Sequence, residues 1–340
     1  LKINIAINGF GRIGRNAFKL ATEEDSLDVV AINDLSDTKT LAYLLKHDSN
    51  YGTYGRNVSF DKNHLIVDGI PIRVTAETDP TKLPWKENGV DVVIESTGRF
   101  TSHDQAAQHL RAGAKRVVIS APEKPDGKPR NDTYVIGAND EELSKKQEII
   151  SNASCTTNCI APIMAILSKQ PGIKKSLMTT VHSYTASQQL QDGPAKDLRE
   201  GRNAAENIVP TTTGAAIAAA LTVPELKGVF DGLSIRVPTP VVSLSDITFV
   251  SKRSTTVEEI NQIMQTAANT ERYRGILACT DEPLVSKDLV GDSHSAVIDT
   301  TLTKVVDKDL VKVVAWYDNE WGYSNRLVEM VVKVGDLLRS

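Results

Sequence analysis

Three cysteines in 340 residues, Cys155, Cys159 and Cys279, are too few and too unevenly spaced for a disulfide scaffold. They suit free thiols in a reducing compartment, so no bridge and a cytoplasmic location are expected. An excess of one charge sign is also lacking. The 39 basic and 43 acidic residues are interspersed and leave a formal net charge of -4, so no global field exists to hold nucleic acid or an anionic membrane. The most apolar uncharged stretch, Thr211 to Pro224, is rich in alanine and short of the ~20 residues that a membrane span needs. The six histidines, His47, His64, His103, His109, His182 and His294, form no paired ligand motif, and Cys155 and Cys159 have no further cysteine nearby. Metal-free chemistry is therefore expected. The residues from Leu1 to Ile5 enter a strand pattern at once, without the charged leader, apolar core and cleavage site of a signal peptide. Internal repeats and low-complexity tracts are missing as well.

What is present is enough apolar content, 40% of the chain, to fill two cores. The first half alternates β-branched runs with amphipathic stretches: a strand over Lys2 to Asn8, a helix over Gly11 to Thr22, a strand over Asp28 to Asn33 and a helix over Asp37 to His47. This βαβα order predicts a parallel sheet. Val58 to Ala76, with Asn63 and Asp68-Gly69 as turn signals, predicts inserted antiparallel hairpins. The βα rhythm then resumes with a strand over Asp91 to Ser96, a helix over His103 to Ala112, and strands over Arg116 to Ser120, Tyr134 to Ile136 and Ile149 to Ser151. From Lys175 the texture changes to longer strands, including Leu233 to Lys252, and a helix over Val257 to Thr270 capped by Thr255 or Thr256. The fold class is α/β, with a parallel βα domain followed by an α+β domain. The polar segment from Ser187 to Val209 is too long for an idle connection in a compact domain and reads as a functional loop.

Gly9-Phe10-Gly11-Arg12-Ile13-Gly14 follows the first strand and opens the first helix. In that context the glycines allow a tight turn and bring a pyrophosphate close to the helix N-terminus. Asp34 ends the second strand about 20 residues later, where a carboxylate accepts hydrogen bonds from an adenosine ribose and repels a 2'-phosphate. No arginine follows in Leu35-Ser36-Asp37-Thr38, so NAD is expected rather than NADP.

Cys155, in Ser154-Cys155-Thr156-Thr157-Asn158-Cys159, follows a strand and opens an apolar helical run through Ile160, Ile163, Met164 and Leu167. A thiol at a helix N-terminus meets unpaired N–H groups and the positive end of the macrodipole, both of which favour the thiolate. His182 is the matching candidate base, able to lower the thiol pKa further and to shuttle protons.

With these residues in hand, the chain resembles the phosphorylating glyceraldehyde-3-phosphate dehydrogenase family from end to end. The resemblance is carried by INGFGRIGR at Ile7 to Arg15, ESTGRF at Glu95 to Phe100, SNASCTTNC at Ser151 to Cys159 and WYDNEWGYS at Trp316 to Ser324. It implies a Rossmann domain over residues 1–154 with a C-terminal helix, 322–340, packing back onto it. It also implies a catalytic domain with a mainly antiparallel sheet over 155–321. By resemblance Cys155 is the nucleophile and His182 the base. Thr185, Arg236 and Ser187 hold the substrate's phosphate, while Ser154, Thr156, Thr213 and Gly214 hold the attacking inorganic phosphate. Arg12, Ile13, Thr97 and Ser120 join Gly9, Gly11 and Asp34 around NAD, and Asn319 orients its nicotinamide amide. The loop Gln189 to Lys196 departs from the family's familiar versions and is one residue shorter, and Lys124 to Asn131 is extended.

The expected reaction is oxidation of D-glyceraldehyde 3-phosphate to 1,3-bisphosphoglycerate through a Cys155 thioester, in a homotetramer. Erythrose 4-phosphate is the sister substrate that His182-Ser183-Tyr184-Thr185 disfavours. A thiol hydrolase using Cys155 and His182 would have no use for the glycine loop and Asp34, and an intact thiol, base and cofactor site leave non-catalytic binding a secondary role.

Overall fold

A computed structural model of the protein describes residues 2–128 and 131–339. Leu1, Pro129 and Arg130 of the extended 124–131 loop, and Ser340 at the end of the expected returning helix, lie outside the described residues. The chain forms two compact units, one of Leu1–Tyr134, Glu142–Ala153 and Ser324–Ser340, the other of Val135–Glu141 and Ser154–Tyr323.

In the first unit β1 (Ile3–Asn8) leads to α1 (Arg12–Ala21), and β2 (Leu27–Asn33) to α2 (Thr38–Lys46). A short ladder joins β3 (His47–Asp48) to β4 (Gly52–Thr53). An antiparallel meander of β5 (Val58–Phe60), β6 (His64–Val67) and β7 (Ile70–Thr75) follows. Then come β8 (Val92–Glu95), α3 (His103–Arg111), β9 (Arg116–Ile119) and β10 (Ile149–Ser151). The sheet order is β10-β9-β8-β1-β2-β7-β6-β5, with every pair from β10 through β7 parallel. Parallel strands need helical crossovers that cover both faces, which is why β8, β9 and β10 are buried at every residue. Successive crossovers depart from β1 in opposite directions, to β2 on one side and later to β8 on the other. That reversal opens a crevice beyond the strands' C-terminal ends.

A polar network under this crevice closes the core. The buried Glu95 carboxylate accepts from Asn8 Nδ2 (2.6 Å), Thr97 N (2.9 Å), Thr97 Oγ1 (2.5 Å) and His109 Nε2 (2.9 Å). Trp85 Nε1 donates to His109 Nδ1 at 3.0 Å, which puts the imidazole proton on Nε2, facing Glu95. Four donors offset the cost of burying the carboxylate.

The segment Tyr134 to Ile136 is not a strand. Asn139 Oδ1 takes the Val135 N–H and Asp140 Oδ1 takes that of Gly137, bending the chain into a turn, and only Thr133 bridges to Ser151.

The second unit opens with α4 (Cys155–Lys169) and β11 (Ile173–Ser183), and continues with β12 (Val209–Thr212), α5 (Ala215–Thr222), β13 (Phe230–Val237) and β14 (Ser243–Ser251). After α6 (Val257–Ala268) come β15 (Leu277–Thr280), β16 (Ala296–Asp299), β17 (Lys304–Val306) and β18 (Leu310–Tyr317). α7 (Trp321–Asp336) carries the chain back into the first unit, where Gly335 lies flat against Ile3 of β1. The sheet order β12-β13-β11-β14-β18-β16-β15, with β17 on β18, is antiparallel except at β11–β13 and β15–β16. The expected run from Leu233 to Lys252 is two strands, because Pro238 and Pro240 have no N–H for a ladder and Thr239 N closes a turn onto Val237 O. Thr256 is the cap of α6, accepting from Glu259 N, while the Thr255 hydroxyl donates to the Glu259 carboxylate. The segment 187–209 folds on itself: Gly193 N bonds Gly201 O, and Asp192 holds Arg202 and Asn203 N.

Gly14 fixes the approach of α1 to β1, since a Cβ there would overlap Gly9 O and sit 3.2 Å from Ser96 Oγ. Gly14→Ala is expected to destabilise the protein by at least about 2 kcal/mol. Thermal unfolding monitored by circular dichroism checks this, with Gly55→Ala, where a Cβ meets open space, as the matched control.

Candidate active site

Ser154 caps α4, its Oγ accepting from Thr157 N at 3.0 Å, so Cys155 is the helix's first residue and the early N–H groups have no intrahelical partner. His182 lies near the end of β11, and the parallel pairing of β11 with β13 sets Arg236 in register beside it. His182 Nε2 lies 3.5 Å from Cys155 Sγ. On the other side of the ring, Nδ1 is 2.8 Å from Ser183 O and 2.5 Å from Arg236 Nη1. The structure therefore brings together three of the expected site residues: thiol, imidazole and guanidinium.

The expected thiolate bias is opposed by burial. Burial pushes the Cys155 thiol up, against Arg236 and the hydroxyl and N–H of Thr156, which pull it down. Burial, seconded by Arg236, drives His182 down to about 3, so the imidazole is neutral at physiological pH. Cys159, one turn along α4 and fully enclosed, is also pushed up by burial, and Cys279 is raised to about 11 by burial. Cys155 is only half-buried and alone has a basic side chain at hand.

The expected phosphate ligands fall into two groups. Thr185 and Ser187 share a hydrogen bond at 3.0 Å at the head of the 187–209 loop. Arg236 Nε is buried with no partner among the described residues, a donor held ready for an anion. Gly214 caps α5, and Thr213 Oγ1 accepts from Ala215 N. The Ser154 hydroxyl is engaged in its cap, and that of Thr156 bonds Tyr317 OH at 2.9 Å, so these two offer an anion chiefly their helix-terminal backbone. Asn319 is buried, with its Oδ1 taking the hydroxyls of Ser183 and Ser243 at 3.1 Å each, which leaves its NH2 as the end to meet a ligand. Tyr317, Ser183 and Ser243 were not among the expected site residues, although Tyr317 lies within the Trp316 to Ser324 motif and Ser183 follows His182 directly.

In the first unit a cleft of about 290 Å³ is lined by Gly9, Gly11, Asp34, Ser96, Thr97 and Phe100, among others. Gly9 has φ +92°, and a Cβ on it would stand 2.8 Å from Thr97 N, whereas one on Gly11 would enter open space. The loop is thus a backbone cradle that side chains would fill, which fits a pyrophosphate. Asp34 stands at the end of β2 and buttresses the loop, its carboxylate accepting from Phe10 N (2.8 Å) and Ser36 N (2.9 Å). Arg12 and Ile13 contribute the first N–H groups of α1, while the Arg12 side chain is paired with Asp48 at 2.8 Å. Ser120 N bonds Glu95 O at the end of β9, outside the cleft lining. Asn8, within the Ile7 to Arg15 motif, also lines the cleft, as do Asn33, Glu77 and Thr78, which no motif announces. A larger cleft, about 880 Å³, lies on the second unit's sheet and contains none of these groups.

Comparison with known proteins agrees with this geometry. Residues 3–103 match the model of the glyceraldehyde 3-phosphate dehydrogenase NAD-binding domain and residues 154–319 that of the C-terminal domain of the same enzyme. The chain is 50% identical over 340 residues to the glyceraldehyde-3-phosphate dehydrogenase of Zymomonas mobilis, covering 99% of this chain and all of that one. It is 51% identical to that of Geobacillus stearothermophilus over 98% of each chain, and 48% identical to that of Streptomyces coelicolor over 99% of this chain and the whole of the relative.

Replacing Cys155 with Ser is expected to lower aldehyde oxidation by roughly 10³-fold or more, with NAD affinity nearly unchanged, because a hydroxyl is a far poorer nucleophile. Cys159→Ser is expected to lose only a few-fold. Single-turnover NAD reduction and equilibrium NAD titration on both variants check the assignment, which an inactive Cys159→Ser beside an active Cys155→Ser would reverse.

Proposed function

The chain belongs to the glyceraldehyde 3-phosphate dehydrogenase family, and on that premise we propose that it oxidises D-glyceraldehyde 3-phosphate with capture of inorganic phosphate, giving 1,3-bisphosphoglycerate. The observation that carries the reading is the 3.5 Å contact between a helix-terminal thiol and an imidazole, with Arg236 alongside. Residues 1–154 and the returning helix take the cofactor role, and residues 155–321 the chemistry.

Cys155 Sγ attacks the aldehyde carbon, and the resulting oxyanion is met by helix-terminal N–H groups and His182 Nε2. NAD, held by Gly9, Gly11, the α1 terminus and Asp34, supplies the hydride acceptor when bound. The oxidised carbon is then a Cys155 thioester, which keeps its acylating power. Inorganic phosphate, drawn to the N-termini of α4 and α5, attacks it, breaks the C–S bond and frees the thiolate. Arg236, with Thr185 and Ser187, holds the substrate's own phosphate. Steady-state turnover with NAD and NADP, and with glyceraldehyde 3-phosphate and erythrose 4-phosphate, tests the reading. The highest kcat/KM is expected for the NAD and glyceraldehyde 3-phosphate pair, and Arg236→Leu is expected to erase the preference for phosphorylated over plain glyceraldehyde. A dominant rate with erythrose 4-phosphate, or an unchanged preference in the variant, would overturn the corresponding assignment.

We further infer a cytoplasmic homotetramer. Among the described residues no helix is long and apolar enough to cross a membrane. The second unit's sheet exposes Leu177, Leu233 and Leu310, and the 187–209 loop exposes Leu190, Leu198 and Ile208, more apolar surface than a lone subunit comfortably leaves in water. In this assembly the loop packs near a neighbouring subunit's cofactor site. Light scattering at micromolar protein, with and without NAD, is expected to give four times the 37.0 kDa chain mass, and a fully active monomer would refute the assembly.

A further inference from the structure

No arginine stands in the turn after Asp34, but the fold brings one to the same cleft from another strand. β1 lies between β2 and β8, with Asn8 level with Asn33 on one side and with Glu95 on the other. The C-terminal ends of β2 and β8 are therefore two strand spacings apart, about 10 Å. Asp34 and Leu35 at the end of β2, and Arg99 in the loop beyond β8, line one cleft of about 290 Å³. The backbone carrying Arg99 is fixed. Thr97 Oγ1 accepts from Arg99 N at 3.0 Å while it donates to the buried Glu95 carboxylate, and Gly98 between them takes φ +70°. The next residue, Phe100, packs its ring T-shaped against the buried His109 at 6.2 Å. The Arg99 side chain itself is exposed, and among the described residues its guanidinium has no ion pair or hydrogen bond. The carboxylates of the two acidic residues lining the cleft do not claim it, because backbone N–H groups take them up: Phe10 and Ser36 for Asp34, Thr78 and Asp79 for Glu77.

We propose that Arg99 is the partner for a 2'-phosphate on the adenosine ribose, so that the cleft already contains the cation of an NADP site and NADP is a weaker second cofactor. An unpaired guanidinium in the cleft of the carboxylate read as the ribose's partner has what such a phosphate needs, a permanent charge and a planar fork of donors. A phosphate monoester is close to a dianion at neutral pH, so in this cleft it gains from Arg99 and loses to Asp34. The bare 2'-hydroxyl of NAD meets the acceptor it needs and has no use for the cation. Preference for NAD then comes from repulsion by Asp34 and not from the lack of an arginine, which the fold supplies from a loop distant in the chain.

The inference rests on the reading of Asp34 as the partner of the ribose, and its test separates the two residues. Titration calorimetry of the nucleotide-free enzyme with adenosine 5'-monophosphate and with adenosine 2',5'-bisphosphate, which differ in the 2'-phosphate alone, gives a ratio of dissociation constants, bisphosphate over monophosphate. Arg99→Gln is expected to raise that ratio about tenfold, in the wild type and in an Asp34→Asn background alike, and Arg99→Lys to recover part of the loss. Asp34→Asn, which keeps one oxygen for Phe10 N, is expected to lower the ratio about tenfold. The same order is expected for NADP against NAD. A ratio that Arg99→Gln leaves unchanged overturns the proposal. So does an equal weakening of both ligands, which would put the guanidinium on the adenine or the 5'-phosphate. A ratio that moves with Arg99 and not with Asp34 sustains the assignment of Arg99 and removes Asp34 from the ribose.

Discussion

The parallel pairing of β11 with β13, in register at His182 and Arg236, is the constraint on which the chemistry of the second unit depends. Parallel neighbours are in the minority in this mainly antiparallel sheet, and one of its two parallel pairs falls where two side chains must emerge beside each other at the same end of adjacent strands. A one-residue slip would send Arg236 to the opposite face and leave the imidazole without its cation. α4, buried on nearly every side against the same sheet, then has only to present its first residue to reach His182.

The cofactor unit obeys a comparable constraint through Glu95. Its carboxylate gathers β1, β8, α3 and the start of the Thr97 loop around one buried charge, directly beneath the glycine turn. The glycines provide the space for a pyrophosphate, and the network holds the walls of that space still.

Most of the architecture was legible because period and punctuation agree in this chain. Gly9, Gly11 and Gly14 stand between a strand pattern and a helix pattern, and Asp34 closes the next strand, so local chemistry alone located the cradle. Cys155 was legible for the same reason, at a strand-to-helix junction capped by Ser154. Tyr134 to Ile136 was misread as a strand because its apolar run says nothing of Asn139 and Asp140, whose side chains capture the backbone N–H groups a strand would have used. The balance of forces on Cys155 was also out of reach of the sequence. The helix terminus is visible there, but the desolvation that opposes it arises from residues distant in the chain. The roles of Tyr317, Ser183 and Ser243 were silent on the same ground, as each acts through a partner more than fifty residues away.

The hydrogen bonds around Asn319 have a direction. The backbone N–H of Ser183 donates to Ser243 Oγ at 3.2 Å, so that hydroxyl spends its acceptor side on the main chain and turns its single proton toward Asn319 Oδ1. A peptide group, which cannot reverse its polarity, thereby dictates which way round a side-chain amide must sit. Asn319 is held with its oxygen inward and its NH2 as the free end, a choice written into the backbone of β11 rather than into Asn319 itself.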